Sequence, residues 1–351
     1  MRAPDQDPSE DADPESDLWF LPGPPDLSDP AEPPWRRADH RPAPRISDWL
    51  EAEAALAAPL ARAAAAFAAL DERLRSAPKG LRRRLALSEA EALLWAEGHR
   101  LRLETIVLYE ALRAAPASAD PAALSEASWA ARRLSGGPGP EAGLRGFLGR
   151  MAVGRDGLDR LAARPVGQEF DALESAWLRL LAAAAPAHGI TRGAIVWQGW
   201  IDLGLSPPDM RIEASVVAAR IGASEARGGA LFLPLAQGRG AGPRATGPLR
   251  ERLEHWYGAV RDGSLAALMR LDRIEAWVQR ARAASAGMKG RTPPLLIDLL
   301  VANPAVSAEM LESLSGVSRA TAERNLAAFE ALGLVQELTG QRRFRFWAAR
   351  I

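Results

Sequence analysis

The stretch 293-PPLLIDLLVANPAVSAEMLESLSGVSRATAERNLAAFEALGLVQELTGQRRFRFWAARI-351 decides the reading of this 351-residue chain. A helix begins at Pro293 or Pro294, because proline is tolerated in a first helical turn. It runs through Leu295, Leu296, Leu299 and Leu300 and stops before Asn303-Pro304. Ser307 is placed to cap a second, short helix with Met310, Leu311 and Leu314 facing inward. Gly316 is free to take the left-handed conformation that a tight turn between helices requires. Val317 returns to the core and Ser318 caps a third helix. That helix carries Arg319, Thr321, Ala322 and Asn325 toward its N-terminal end, while Leu326, Phe329 and Leu332 bury its later turns and Gly333 ends it. The period then falls from 3.6 to 2. Leu334-Val335, Glu337 to Thr339, a turn at Gly340, and Arg342 to Trp347 predict a β-hairpin whose arginines alternate with Phe344 and Phe346.

Three helices and a basic hairpin predict a winged helix-turn-helix over 291–351, with the third helix sized for the major groove of double-stranded DNA. Its expected DNA-facing residues are Arg319, Thr321, Ala322, Arg324 and Asn325. Arg319 and Asn325 match the paired acceptor and donor patterns of guanine and adenine, and Thr321 suits a base, a phosphate or a thymine methyl. Arg324 and the hairpin residues Arg342, Arg343 and Arg345 fall to phosphate. Residues 339–351 hold these three hairpin arginines and Arg350 with no acid, which favours contact with a polyanion.

Working outward, the rest of the chain predicts a mainly α fold: a helical bundle-like body over 46–290 preceded by a leader, 1–45. The leader holds 11 prolines, and its 11 acids against 5 arginines give it a net charge of −6, so it is expected to be mostly disordered. Within it, 17-DLWFL-21 is a short apolar island suited to docking on the body. Ser47 is expected to cap the first body helix, and Pro59 to kink or split it. Further helices are predicted over 60–74, 81–112, 121–134, 142–152, 156–163, 168–185, 190–203, 211–221, 248–259 and 264–285. Gly/Pro-rich connectors such as 135-SGGPGP-140 join them.

Composition excludes several chemistries. Without cysteine there are no disulfides, thiolate metal sites or cysteine nucleophiles, and four scattered histidines supply metal chemistry poorly; no metal and no cofactor is expected. The sequence has no run of about 18 apolar residues, so the chain reads as soluble and cytoplasmic, without a membrane partner. Formal charge is zero, and 42 of 44 basic residues are arginine, a bias that a GC-rich coding sequence would produce on its own, so arginine abundance alone is not evidence of a nucleic-acid partner. The glycine-rich 238-GRGAG-242 lacks the Lys-Ser/Thr of a phosphate loop, and His99 and His255 lack catalytic partners at defined spacing, so no enzyme is expected. Arg82, Arg83 and Arg84 open a helix with positive charge, against its macrodipole, and read as a site for an acidic partner such as the leader.

Residues 307–334, in particular Gly316 to Arg319 and Glu330 to Leu334, resemble bacterial helix-turn-helix and winged-helix regulators. Through 71-DERLRSAP-78, 89-EAEALLWAEGHRLRLETIVLYEA-111, Ala131-Arg132-Arg133 and 293–351, the chain also resembles a family of rhizobial and other alphaproteobacterial proteins, often plasmid-borne. These join a helical domain of unknown function to a C-terminal helix-turn-helix DNA-binding domain, so the resemblance implies DNA binding by the C-terminus. Glu312 departs from the pattern, standing where such motifs usually place alanine. More distantly, 95-WAEGHRLRLETIVLYEA-111 resembles Fic-type adenylyltransferases, but the family's catalytic histidine and Gly-Asn-Gly are absent from the nearest candidate, 220-RIGASEARGGALFLPL-235.

The expectation is therefore a DNA-binding transcriptional regulator whose long amphipathic helices leave room for a homodimer on a palindromic operator. The alternative is a protein-interaction module or a catalytically inactive Fic-like protein. If the leader competes with phosphate for the basic hairpin, deleting residues 1–45 tightens DNA binding at low salt in a gel shift and leaves the circular dichroism spectrum intact.

Overall fold

The computed structural model describes residues 44–112, 119–149, 164–238, 242–340 and 345–351. Nearly all of the leader, the expected helix 156–163, and Arg342, Arg343 and Phe344 lie outside the described residues. Among the described residues there are thirteen α-helices and three short strands, so the mainly α expectation holds.

The first two helices, α1 (Ile46–Ala55) and α2 (Ala57–Arg75), meet at Leu56 with a bend of 83°. Pro59 therefore sits in the first turn of α2, where its missing N–H costs no hydrogen bond. Ser47 lies inside α1, whose capping position is Arg45; the Arg45 backbone N–H donates to Asp48 Oδ2 at 2.9 Å. The expected helix 81–112 is two helices, α3 (Lys79–Ala96) and α4 (Leu103–Leu112), separated where Gly98 takes φ +97°. Then come α5 (Pro121–Ser135), α6 (Leu144–Leu148), α7 (Gly167–Ala183), α8 (Gly189–Asp202) and α9 (Ile212–Gly222). The expected pair 248–259 and 264–285 is one helix of 36 residues, α10 (Leu249–Ala284). Gly263 does not break it, because the Pro234 carbonyl packs where a Cβ would stand.

Carboxylates reach across the body to helix starts and loops. Glu91 accepts from Leu103 N at 2.8 Å, Glu174 from Leu144 N at 2.7 Å and Glu225 from Gly189 N at 2.8 Å, so α4, α6 and α8 begin on acids from other segments. Two buried acids tie a long loop to the core. Asp71 accepts from the N–H groups of Arg227, Gly229 and Ala230 at 2.6–2.8 Å. Glu89 accepts from Leu235 and Ala236 at 2.7 and 2.8 Å, and burial pushes its carboxyl up despite these bonds.

The C-terminal region builds a second core. Helices α11 (Thr292–Ala302), α12 (Ala308–Ser315) and α13 (Arg319–Ala331) surround Leu296, Leu300, Leu311, Leu326 and Phe329. A three-stranded antiparallel sheet of β1 (Val306–Ser307), β2 (Val335–Glu337) and β3 (Phe346–Ala349), ordered β1-β3-β2, backs them. Val306 is registered with Trp347 and Val335 with Ala349. This core also takes Ile274, Trp277 and Ala281 from the last turns of α10, and the Trp277 indole N–H donates to the Leu334 carbonyl at 2.9 Å.

A polar joint fixes the second core against the body. Arg84, 7% exposed, donates to the Leu300 carbonyl at 2.7 Å, and Arg83 donates to Asn303 Oδ1 at 3.3 Å while pairing with Glu110. Burial, and then the charge of Arg270, pulls Arg84 down to about 10. Gly80 approaches so closely that an added Cβ would lie 2.3 Å from Ala302 Cβ. The expectation that Arg82 to Arg84 serve an acidic partner is met at Arg83 alone, by Glu110 of the body, and corrected at Arg82 and Arg84. Arg82 bonds the Leu74 carbonyl at 3.3 Å, and the other two satisfy carbonyls and side chains at a helix end that would otherwise be bare.

Elsewhere Glu97, Glu126 and Glu213 converge from the end of α3, from α5 and from α9, with Arg164 3.7 Å from Glu126 and 3.6 Å from Glu213. Burial, and then the Glu126 charge, pushes Glu97 up to about 7 from 4.5. The folded chain therefore holds this proton to higher pH than the unfolded chain does. The associated stability is complete below about pH 4.5 and is lost as pH rises through about 7.

Thermal unfolding across pH tests this: Glu97→Gln is expected to raise stability by about 1–2 kcal/mol at pH 8, after allowance for solvent screening, with the gain shrinking toward pH 5. For the joint, Arg84→Ala is expected to cost about 2–3 kcal/mol in urea titration, through the orphaned Leu300 carbonyl and the lost packing.

Candidate nucleic-acid interface

The helix-turn-helix is assembled by short-range signals. Ser307 Oγ accepts from Met310 N at 3.1 Å to start α12, and Gly316 turns at φ +67°. Ser318 Oγ accepts from Thr321 N at 3.4 Å to start α13. Glu312 faces outward, so its size does not disturb the crossing of the two helices. Two leucines expected inside are outside: Leu314 is 66% exposed and Leu332 46% exposed. Each stands at the end of its helix, past the last turn that the core covers.

Helix α13 is phased by Ala322, Leu326 and Phe329, all fully buried. Ala322 is 0% exposed, which corrects its expected place on the DNA-facing surface: it packs under α12 in the core. At 3.6 residues per turn the opposite face is Ala320, Arg324 and Ala327, all exposed. Arg319 and Glu323 flank this stripe on one side, and Thr321 and Asn325 flank it on the other.

Each polar group has a local partner. Arg319 Nε lies 3.2 Å from Glu323 Oε1, an ion pair at the four-residue spacing that brings side chains together on one helix face. Arg324 donates to Thr321 Oγ1 at 3.2 Å, and the Asn325 amide donates to the Thr321 carbonyl at 2.8 Å. Arg345 stands 3.6 Å from both Glu330 and Glu337 and lies 4.6 Å over the Trp347 ring. Hydrogen bonds from Thr339, reinforced by Arg345, hold the Glu337 carboxyl below its usual range. The positive charge expected of the final residues is therefore partly offset by acids from α13 and β2, which linear counting could not see.

A groove of about 690 Å³ runs along the seam between α4 and this region, with Glu110 and Leu112 on one wall and Met310, Arg319, Glu323 and Arg345 on the other. Ala320, Arg324 and Ala327 take no part in lining it. Among the described residues no cluster of His, Asp and Glu is arranged to hold a metal ion, and no single helix is long and apolar enough to cross a membrane. His99 lies 3.8 Å from Asp120, and His255 bonds the Glu251 carbonyl within its own helix at 2.8 Å.

Residues 293–349 match the model of a protein family described as an HTH DNA binding domain. No curated protein matches the chain. The span of the match coincides with α11 through β3, so the chain carries a helix-turn-helix domain of the DNA-binding kind at its C-terminal end, joined to a helical body.

Proposed function

We propose that the protein is a cytoplasmic, non-enzymatic transcriptional regulator that reads duplex DNA through a C-terminal winged helix-turn-helix. The observation that carries this reading is the exposed, alanine-lined face of α13, centred on Arg324, in a segment that matches a DNA-binding family. Alanines at Ala320 and Ala327 let the helix backbone approach base edges closely, and alanine suits a thymine methyl. Arg324 stands at the centre of that face. Arg319 and Asn325 reach in from its flanks toward guanine and adenine, and Thr321 serves a base or a phosphate. The wing arginines, Arg342, Arg343 and Arg345, serve phosphate. Binding exchanges Glu323 for DNA at Arg319, and Glu330 and Glu337 for DNA at Arg345.

The acid pairing of Arg319 and Arg345 favours a second reading, a protein-interaction module, because it lowers the net positive field at the surface. Selection of duplexes from a random pool, followed by fluorescence anisotropy, separates the two. The regulator reading expects an enriched sequence, and no enrichment at any salt overturns it. On the enriched site, alanine at Arg324, Arg319 or Asn325 is expected to cost about 1–3 kcal/mol and to relax preference at particular bases. Arg345→Ala is expected to weaken enriched and random DNA alike and to reduce the salt slope by about one unit.

A further inference from the structure

The long helix α10 buries one face along its whole length and leaves the other open. Near the middle of the open face stand Leu265 and Met269, 46% and 56% exposed, the largest apolar side chains on that surface of the helix. Gly258 and Ala276 extend the stripe in either direction, and a Cβ added at Gly258 would meet nothing within 4 Å. The stripe is a near-palindrome about the level of Ala267. Reading outward, Leu265 mirrors Met269, Asp262 mirrors Asp272, Arg261 mirrors Arg273, Gly258 mirrors Ala276, and Glu254 mirrors Arg280.

We propose that this face is a two-fold interface with a second copy of the chain, the two α10 helices packing antiparallel and crossing between Leu265 and Met269, at the level of the buried Ala267. A two-fold contact must be self-complementary, and this one is. Leu265 packs on Met269 of the second copy, and the small Gly258 lies against Ala276, allowing the backbones to approach. Glu254, in the second turn of each helix, meets Arg280 of its neighbour, whose bond to the Arg350 carbonyl at 3.4 Å is exposed. The like-charged mirror pairs fall one step out of line along the helices, so Arg261 lies toward Asp272 and Asp262 toward Arg273 of the second copy. Among the described residues Glu254 and Arg273 have no ionic partner within the chain. Arg261 bonds its neighbour Asp262 at 2.8 Å, and Asp272 lies 3.5 Å from Arg73, at exposed positions where partners exchange at small cost.

The same helix carries the interface to the DNA-reading end, and here the inference rests on the function proposed above. Trp277, at the centre of the α10 segment inside the second core, is ten residues beyond Ala267, or ~15 Å at ~1.5 Å per residue. Across the two-fold the two attachment points stand ~30 Å apart, close to the ~34 Å that separates half-sites one helical turn apart on DNA. With only two large apolar side chains per copy, the dimer is expected to be of modest affinity and to be consolidated by a palindromic duplex.

Sedimentation equilibrium of the full chain tests this directly. The wild type is expected to pass from monomer to dimer at concentrations up to about 100 μM. Leu265→Glu with Met269→Glu should be monomeric throughout, with an unchanged circular dichroism spectrum because both side chains are exposed. Glu254→Arg should weaken association by roughly tenfold or more, and adding Arg280→Glu in the same chain should restore it. A wild type that stays monomeric, a double-glutamate variant that still dimerises, or a charge swap that fails to restore association each overturns the proposal. Binding to DNA keeps the two conclusions apart. On paired half-sites the double-glutamate variant should lose cooperativity while keeping single-site affinity. A chain that dimerises but selects no DNA sinks the regulator reading alone, and one that binds paired half-sites cooperatively without this face sinks the dimer alone.

Discussion

The guanidinium of Arg84, together with the helix α10 that runs unbroken from one core into the other, sets the relation of the two cores. It is a charged group taken out of water at the meeting of α3 and α11, and its attraction is directed at the carbonyl of Leu300 and, at 3.5 Å, that of Asn303. A helix end leaves its last carbonyls without partners, and a cation there also meets the negative end of the helix dipole. Arg84 answers both needs from a different part of the chain. Arg83 and Gly80 act on the same corner, one by bonding Asn303 and the other by removing the atoms that would keep Ala302 away. The orientation of α13 follows, because α11 is the platform on which α12 and α13 are packed.

Acids do for the body what Arg84 does at the joint. Free N–H groups at helix starts and in the 224–238 loop are met by carboxylates distant in sequence: Glu91, Glu174, Glu225, Asp71 and Glu89. A carboxylate offers two acceptor oxygens to such groups, so one side chain can fix several backbone positions at once. Asp71 does so for three. The connection 224–238 contains little regular structure, yet much of it is buried, because its amides are satisfied by α2 and α3.

The local part of this design was legible in the sequence. Ser307, Gly316 and Ser318 each act within three residues of themselves, and the structure places all three as caps or turn. What failed had a long-range cause. The expected helices 248–259 and 264–285 are one, because the Pro234 carbonyl packed on Gly263 gives that glycine a purpose inside a continuous helix. Strand β1 has two residues and acquires its identity only by pairing with Phe346 and Trp347. In the candidate site, Arg319 and Asn325 have the chemical type of base-reading residues, whereas the phase set by Leu326 and Phe329 turns Ala322 inward and Arg324 outward. The acids beside Arg345 came from α13 and β2, and no count along the chain could bring them together.

One consequence of the shared helix concerns how the molecule can be divided. Because Ile274, Trp277 and Ala281 form one wall of the second core, the covalent boundary suggested by the chain at residue 291 does not coincide with the energetic one. A fragment cut there would expose the apolar surfaces that face Trp277 and leave the Leu334 carbonyl without its indole donor. The second core as a packed unit therefore begins at Ile274, upstream of the segment that matches the helix-turn-helix family. A hybrid protein that borrows this head must borrow the end of α10 with it, and with that end comes the direction in which the head points.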